Sequence, residues 1–262
     1  MRKIFIIGIN TFREVIRNKV LYSLLFFALA VIVASIAFGA LAVTGKERLT
    51  MDLGLAGMSL FSIVIAIFVG VNLVYKEMER KTIYTLVSKP VHRYQFVLGK
   101  FFGLSLTLVI QVLVMTAVLL AVLIHQKTQI TTALFMMVVL ILLEVLVITS
   151  VAVMFSAFST PFLSGAFTVG IFLLGRSVPD IQVIAEKMDN PVLSPLLKTA
   201  SYIVPNLRFF YVTGSNVAEQ AVSVNGPFVD WGYVGSATAY ASLYLSLTLL
   251  MATFLFSRRD FI

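Results

Sequence analysis

The sequence predicts an all-α integral membrane protein with about six transmembrane helices, each long enough for a hydrocarbon core of roughly 30 Å. Three observations carry this. Of 262 residues, 60% are hydrophobic and only 12% charged, too little polar surface for a water-soluble exterior. Apolar stretches of about 20 residues recur, each able to cross the bilayer at 1.5 Å per residue. The basic residues behind the net charge of +8 cluster beside those stretches, whereas nucleic-acid binding needs them on a soluble face. One polytopic membrane domain, residues 1–262, is the economical organisation.

Residues 1–19 alternate apolar and charged residues and lack a small-residue cleavage site, so they read as a retained segment and not as a signal peptide. Phe5, Phe12, Val15 and Ile16 share one helical face with Arg13, Glu14, Arg17 and Lys19 at its margin, the pattern of a helix lying in the membrane interface. A plain extension of the first span is the alternative. The spans themselves read as 20–43, 53–75, 101–124, 130–158, 162–175 and 233–256. The fifth, between Pro161 and Arg176, is short for a full crossing. Residues 176–232, punctuated by Pro179, Pro191, Pro195, Pro205 and Pro227, read as short helices and loops on the outer face.

Charge then orients the chain. Arg2, Lys3, Arg13, Arg17 and Lys19, then Lys76, Arg80, Lys81, Lys89, Arg93 and Lys100, then Arg258 and Arg259 all fall on one side of a six-span path. On the other side Lys46, Arg48, Lys127, Arg176, Lys187, Lys198 and Arg208 are matched one for one by Glu47, Asp52, Asp180, Glu186, Asp189, Glu219 and Asp230. The positive-inside rule puts both termini in the cytoplasm and supports counting the fifth segment as a crossing. The localisation expected is a bacterial or archaeal cell (inner) membrane.

Between the second and third spans, residues 76–94 are more elaborate than a turn needs to be. Ile83, Leu86 and Val87 form one apolar helical face amid charges, and Pro90 ends the helix. That describes an amphipathic helix able to fit a groove on a cytoplasmic partner; an interfacial loop held by its positive charges fits the pattern equally. The run Glu77-x-Glu79-x-x-Thr82-Ile83-x-x-Leu86-x-x-x-Pro90-Val91-x-Arg93, followed by Gly99-Lys100, resembles the coupling segment of type-2 ABC exporter permeases. Thr11-Phe12-Arg13-Glu14-x-x-Arg17-Asn18-Lys19 is similar to that family's interfacial helix, and Arg258-Arg259-Asp260-Phe261 to its C-terminal tail. Pro205-Asn206-Leu207 and the 228–233 region look most like the branch serving copper maturation of nitrous oxide reductase.

The resemblance implies a permease dimer, homodimeric or built from two related chains, over two cytoplasmic ABC ATPase subunits. Glu77, Glu79, Arg80, Thr82, Ile83, Leu86, Pro90 and Arg93 would dock the ATPase, and ATP and Mg would bind to that partner. This chain has no GxxxxGK[ST] phosphate loop and is expected to bind no cofactor or metal itself. The outer segment leaves room for an accessory protein.

Within the spans, Glu144 stands near the middle of the fourth, where a charge costs about 2.5–3.5 kcal/mol unless it is paired or protonated. Gln111 lies at similar depth in the third span and is a candidate hydrogen-bond partner. Interhelical fastening is the simpler role for the pair, and a place on the transport path or a conformational latch is the functional one. Glu144 is also the proton site of the alternative reading, a proton-coupled secondary transporter. No internal repeat supports that carrier. Enzymatic chemistry finds no foothold, since the chain has no cysteine, no HExxH motif, and only His92 and His125, on opposite sides of the membrane in this topology. Met136 and Met137 are adjacent, so they diverge on a helix and read as packing.

Overall fold

A computed structural model of the chain describes residues 2–41, 46–79, 92–188, 192–210, 216–217, 220–221 and 229–258. Its helices are α1 (Arg2–Ile16), α2 (Lys19–Leu41), α3 (Lys46–Glu79), α4 (Arg93–His125), α5 (Thr132–Ser156), α6 (Pro161–Lys187), α7 (Leu193–Ile203) and α8 (Trp231–Ser257). A 3-10 turn spans Leu207–Phe209, and Asn216 pairs with Ala221 and Val217 with Gln220 in a minimal antiparallel ladder. Among the described residues, the 6 helices α2 to α6 and α8 are long and apolar enough to cross a membrane. The chain is an all-α, multi-pass membrane protein.

α5 is the axis of the bundle. Its buried residues, among them Met136, Leu140, Glu144, Ile148 and Val151, lie all round the helix, and it packs against α3, α4, α6 and α8. Uniform hydrophobicity around a helix is the pattern of an element with protein on every side. α2, α6 and α8 lie at the periphery and present Phe26, Phe27, Leu173, Leu243, Leu247 and Leu250 outward, as expected where the outer solvent is hydrocarbon. α8 is fastened to α5 by Thr248, whose hydroxyl lies 2.8 Å from that of Ser150.

α1 is a separate helix. The chain breaks at Arg17 and Asn18, and the Asn18 side chain accepts from the Val20 amide at 3.0 Å, capping the start of α2. The face α1 buries differs from the expected one. Gly8, Thr11 and Val15 are buried, while Phe5 is 57% exposed and Phe12 and Ile16 are only half-buried. The reason lies in α4. A Cβ on Gly103 would collide with the Gly8 carbonyl oxygen and stand 2.6 Å from Thr11 Cβ, so glycines and small side chains let the two helices touch backbone to backbone. Amphipathicity reveals a helix's greasiest face; here the tightest packing uses its smallest residues.

The fifth span also differs from expectation. α6 is 27 residues long and runs through both Arg176 and Pro179 to Lys187, about 40 Å at helical rise. Proline removes one backbone hydrogen bond, to the carbonyl of Gly175, which membrane helices tolerate when neighbours compensate. Arg176 does not end the span because an acid in the neighbouring helix receives it. α3 and α4 likewise begin earlier than the apolar runs, at Lys46 and Arg93.

Candidate functional site

Two polar constellations stand out, one where α1, α4 and α8 converge and one inside the bundle. At the first, Arg93 opens α4, and its guanidinium donates to the carbonyls of Ser257 at 2.6 Å and Phe256 at 3.3 Å. These are among the last carbonyls of α8, which lack helical partners and carry the negative end of the helix dipole. Phe96, one turn along, stacks on Phe256 with ring centroids 5.6 Å apart. On the neighbouring face, Lys100 is 3% exposed and its ammonium lies 3.4 Å from Glu14 of α1 and 5.7 Å from the Phe96 ring centre. The start of α4 is therefore joined to both ends of the chain's helical path.

Among the interfacial residues expected from the sequence, Phe12 is half-buried and Arg13, Glu14 and Arg17 are exposed. Arg17 lines a cavity of about 370 Å³ with Glu14, Asn18, Lys19, Val69 and Asn72, in the elbow between α1 and α2. Of the expected docking residues, Glu77 and Glu79 fall in the last turn of α3. Arg80, Thr82, Ile83, Leu86 and Pro90 lie outside the described residues. In the sequence, the segment that contains them joins the end of α3 to Arg93 at the start of α4.

At the second constellation, Glu144 is 0% exposed at the centre of α5. Arg176 of α6 donates from Nε to Glu144 Oε1 at 3.0 Å and from a terminal nitrogen to Oε2 at 3.1 Å, a bidentate pair. The same terminal nitrogen donates to Ser59 Oγ of α3 at 2.7 Å, and Ser59 donates to Glu144 Oε2 at 2.9 Å. The guanidinium carbon lies 4.9 Å from the Phe172 ring centre. Three helices thus meet at one closed polar knot.

Gln111 takes no part in it. It is buried, but neither its side-chain nitrogen nor its oxygen has a hydrogen-bond partner among the described residues. Gln111 lies on the stripe of α4 that carries Leu104, Leu108 and Met115, where the neighbouring polar contact is Ser62 to the Met115 sulfur at 3.6 Å. In place of the candidate Gln111–Glu144 bond stand Arg176 and Ser59, since a guanidinium offers a carboxylate two charged donors where an amide offers neutral ones. Arg176 was visible in the sequence as the only charge flanked closely by apolar residues of the fifth span. It read as the span's end because a lone arginine there is costly, and the acid that pays for it is 32 residues away.

The profile of the ABC-2 family transporter protein matches residues 6–261, from within α1 to the residue before the C-terminus. The chain belongs to the ABC-2 transporter family. No curated protein matches it. As an ABC-2 protein it is the membrane permease of an ABC transporter, and the match takes in both constellations and the segment joining α3 to α4.

Proposed function

We propose that this ABC-2 permease couples ATP hydrolysis by a separate cytoplasmic ABC ATPase to export, or to conformational work on the outer face. Two copies, or two related chains, would form the transport unit. The observation that carries this reading is the junction at Arg93 and Lys100. The α3–α4 segment, which resembles the docking element of type-2 exporters, returns into a helix whose first turns are clamped to α8 by Arg93 and to α1 by Lys100 and Gly103. A push on that segment passes into three elements at once, which is what a permease needs if a partner's closure is to move its spans.

In this reading ATP and Mg belong to the partner, this chain is no enzyme, and both termini face the cytoplasm of a bacterial or archaeal cell. The basic residues flanking α1, the α3–α4 segment and the end of α8 support that orientation. Glu77, Glu79, Arg80, Thr82, Ile83, Leu86 and Pro90 form the docking surface, and Arg93 holds its base. A role in copper maturation for nitrous oxide reductase rests on Pro205-Asn206-Leu207 and the 228–233 region alone. A proton-coupled carrier using Glu144 is the weaker reading, because Arg176 and Ser59 occupy both carboxylate oxygens.

Affinity purification of the tagged chain from native membranes in mild detergent, with mass spectrometry and an ATPase assay, tests the proposal. A stoichiometric ABC ATPase is the expected companion, and an outer-face protein would point toward the cargo. Recovery of the chain alone across several detergents would favour the carrier.

A further inference from the structure

We infer that Arg176 is a positioning residue that pins α6 against the α3–α5 core, and that the transport cycle breaks and remakes this pin. The first half stands on geometry alone; the second rests on the permease reading above.

α6 has two differently held halves. Beyond Pro179 it is tied to α7 and the 3-10 turn: Asp180 lies 3.6 Å from Arg208, Gln182 donates to Ser201 at 3.4 Å, and Ser194 donates to the Ala185 carbonyl at 2.6 Å. That assembly is in turn anchored on α8. The Tyr233 hydroxyl donates to the Phe209 carbonyl at 2.7 Å, and Tyr240 accepts from the Asn206 amide at 2.9 Å. The half before Arg176 packs inward along a narrow seam of Ser164, Thr168 and Phe172. Between it and α3 lies an apolar groove of about 380 Å³ lined by Ile67, Phe68, Pro161, Phe162, Gly165 and Val169. A Cβ on Gly165 would meet nothing within 4 Å. Its contact with α5 includes one tilted ring pair, Phe155 with Phe167 at 5.3 Å.

The two halves join at a weak point. Pro179 supplies no amide to the Gly175 carbonyl, and Gly175 lies so close to the Pro205 carbonyl and Leu207 that a Cβ there would stand 2.7 Å from the former. Proline is a recognised cause of helix bending. Arg176 sits inside this joint and grips α3 through Ser59 and α5 through Glu144. With the outer half anchored on α8, the freedom that Arg176 suppresses is a swing of the inner half of α6 relative to α3, and the groove is the space into which it swings.

General fastening of helices predicts a bond that stays made; a pin predicts one whose loss repopulates a second arrangement. The chain has no cysteine, so spin labels on Phe68→Cys and Gly165→Cys, facing each other across the groove, report the separation of α3 and α6 in reconstituted full-length protein. Glu144→Gln with Arg176→Gln removes both charges together and leaves no buried charge unpaired. Without nucleotide the parent should give one narrow distance distribution. In the double variant a second population should rise from below about 10% to a majority. Arg176→Lys, which keeps the charge but loses the fork, should fall between.

With the partner ATPase turning over, the parent itself should visit the second distance. An unchanged distribution in the double variant overturns the pin. An unmoved parent distance during measured ATP turnover overturns its role in the cycle. Absence of any partner ATPase would sink the permease reading, while the nucleotide-free comparison would still decide the pin. If the double variant fails to fold, Ser59→Ala, which deletes the bonds to both partners without stranding a charge, takes its place. It should show the same second population at a lower level, and a parent-like distribution there counts against the pin.

Discussion

Replacing Gly103 with alanine should undock α1 from α4, whereas the same substitution at Gly8, on the other side of the contact, should not. The added methyl at Gly103 would press on the Gly8 carbonyl and lie 2.6 Å from Thr11 Cβ, so backbone must move. At Gly8 it would meet the Phe102 ring edge at 2.7 Å, the far end of an exposed side chain that can rotate away. Both substitutions gain about 0.8–1.0 kcal/mol of helix propensity, so that term cancels in the comparison. Overpacking against backbone costs about 1–3 kcal/mol, which makes the difference in docking equilibrium about 5- to 150-fold. A cysteine at Ile7, half-buried on the docked face beside Gly99, reports the undocked fraction through its rate of maleimide labelling. Labelling should accelerate in Gly103→Ala and stay near the parent rate in Gly8→Ala. Equal rates in the two would show that the close approach of α1 and α4 does not hold the helix.

Arg93→Ala removes charge-assisted bonds to two α8 carbonyls and should destabilise the detergent-solubilised protein by about 1.5–3 kcal/mol; thermal unfolding should show a lower midpoint, with Arg93→Lys recovering part of the loss. Charge reversal at Glu77 and Glu79 together should leave folding intact and uncouple transport from ATP hydrolysis, so wild-type coupling in that variant would remove these residues from the docking surface. Reporter proteins fused after Gln126 and after Lys198 should both register as outside the cytoplasm; cytoplasmic activity at both would invert the orientation drawn from the basic residues.

The spans were legible because hydrocarbon imposes a length and a composition on whatever crosses it, and both are local properties of sequence. The same local logic misjudged the ends. α3 starts at Lys46 because a helix continues into polar surroundings without an apolar signal, and Thr50 is buried there against the Ser35 carbonyl at 3.4 Å. The polar knot was half legible. Glu144 announces itself by its position, but its partners come from α3 and α6, and only the packing of three helices decides that Arg176 reaches it while Gln111 does not. Arg93 was legible as part of a motif, not as the cap of a helix that ends 164 residues later. Charge in a membrane sequence marks either an edge or a pair, and telling them apart needs the neighbouring helices.

The hold of Arg93 and Ser150 on α8 also dictates the order in which the protein can be completed. α2 to α6 enter the membrane first, and the central helix α5 then lacks one of its four flanking helices. Only when α8 has left the ribosome can Thr248 meet Ser150, Phe256 lie on Phe96, and Arg93 close over the carbonyls of Phe256 and Ser257. α8 therefore completes the middle of the bundle, and a chain cut short before Trp231 would leave quality-control proteases an exposed flank of α5 to recognise.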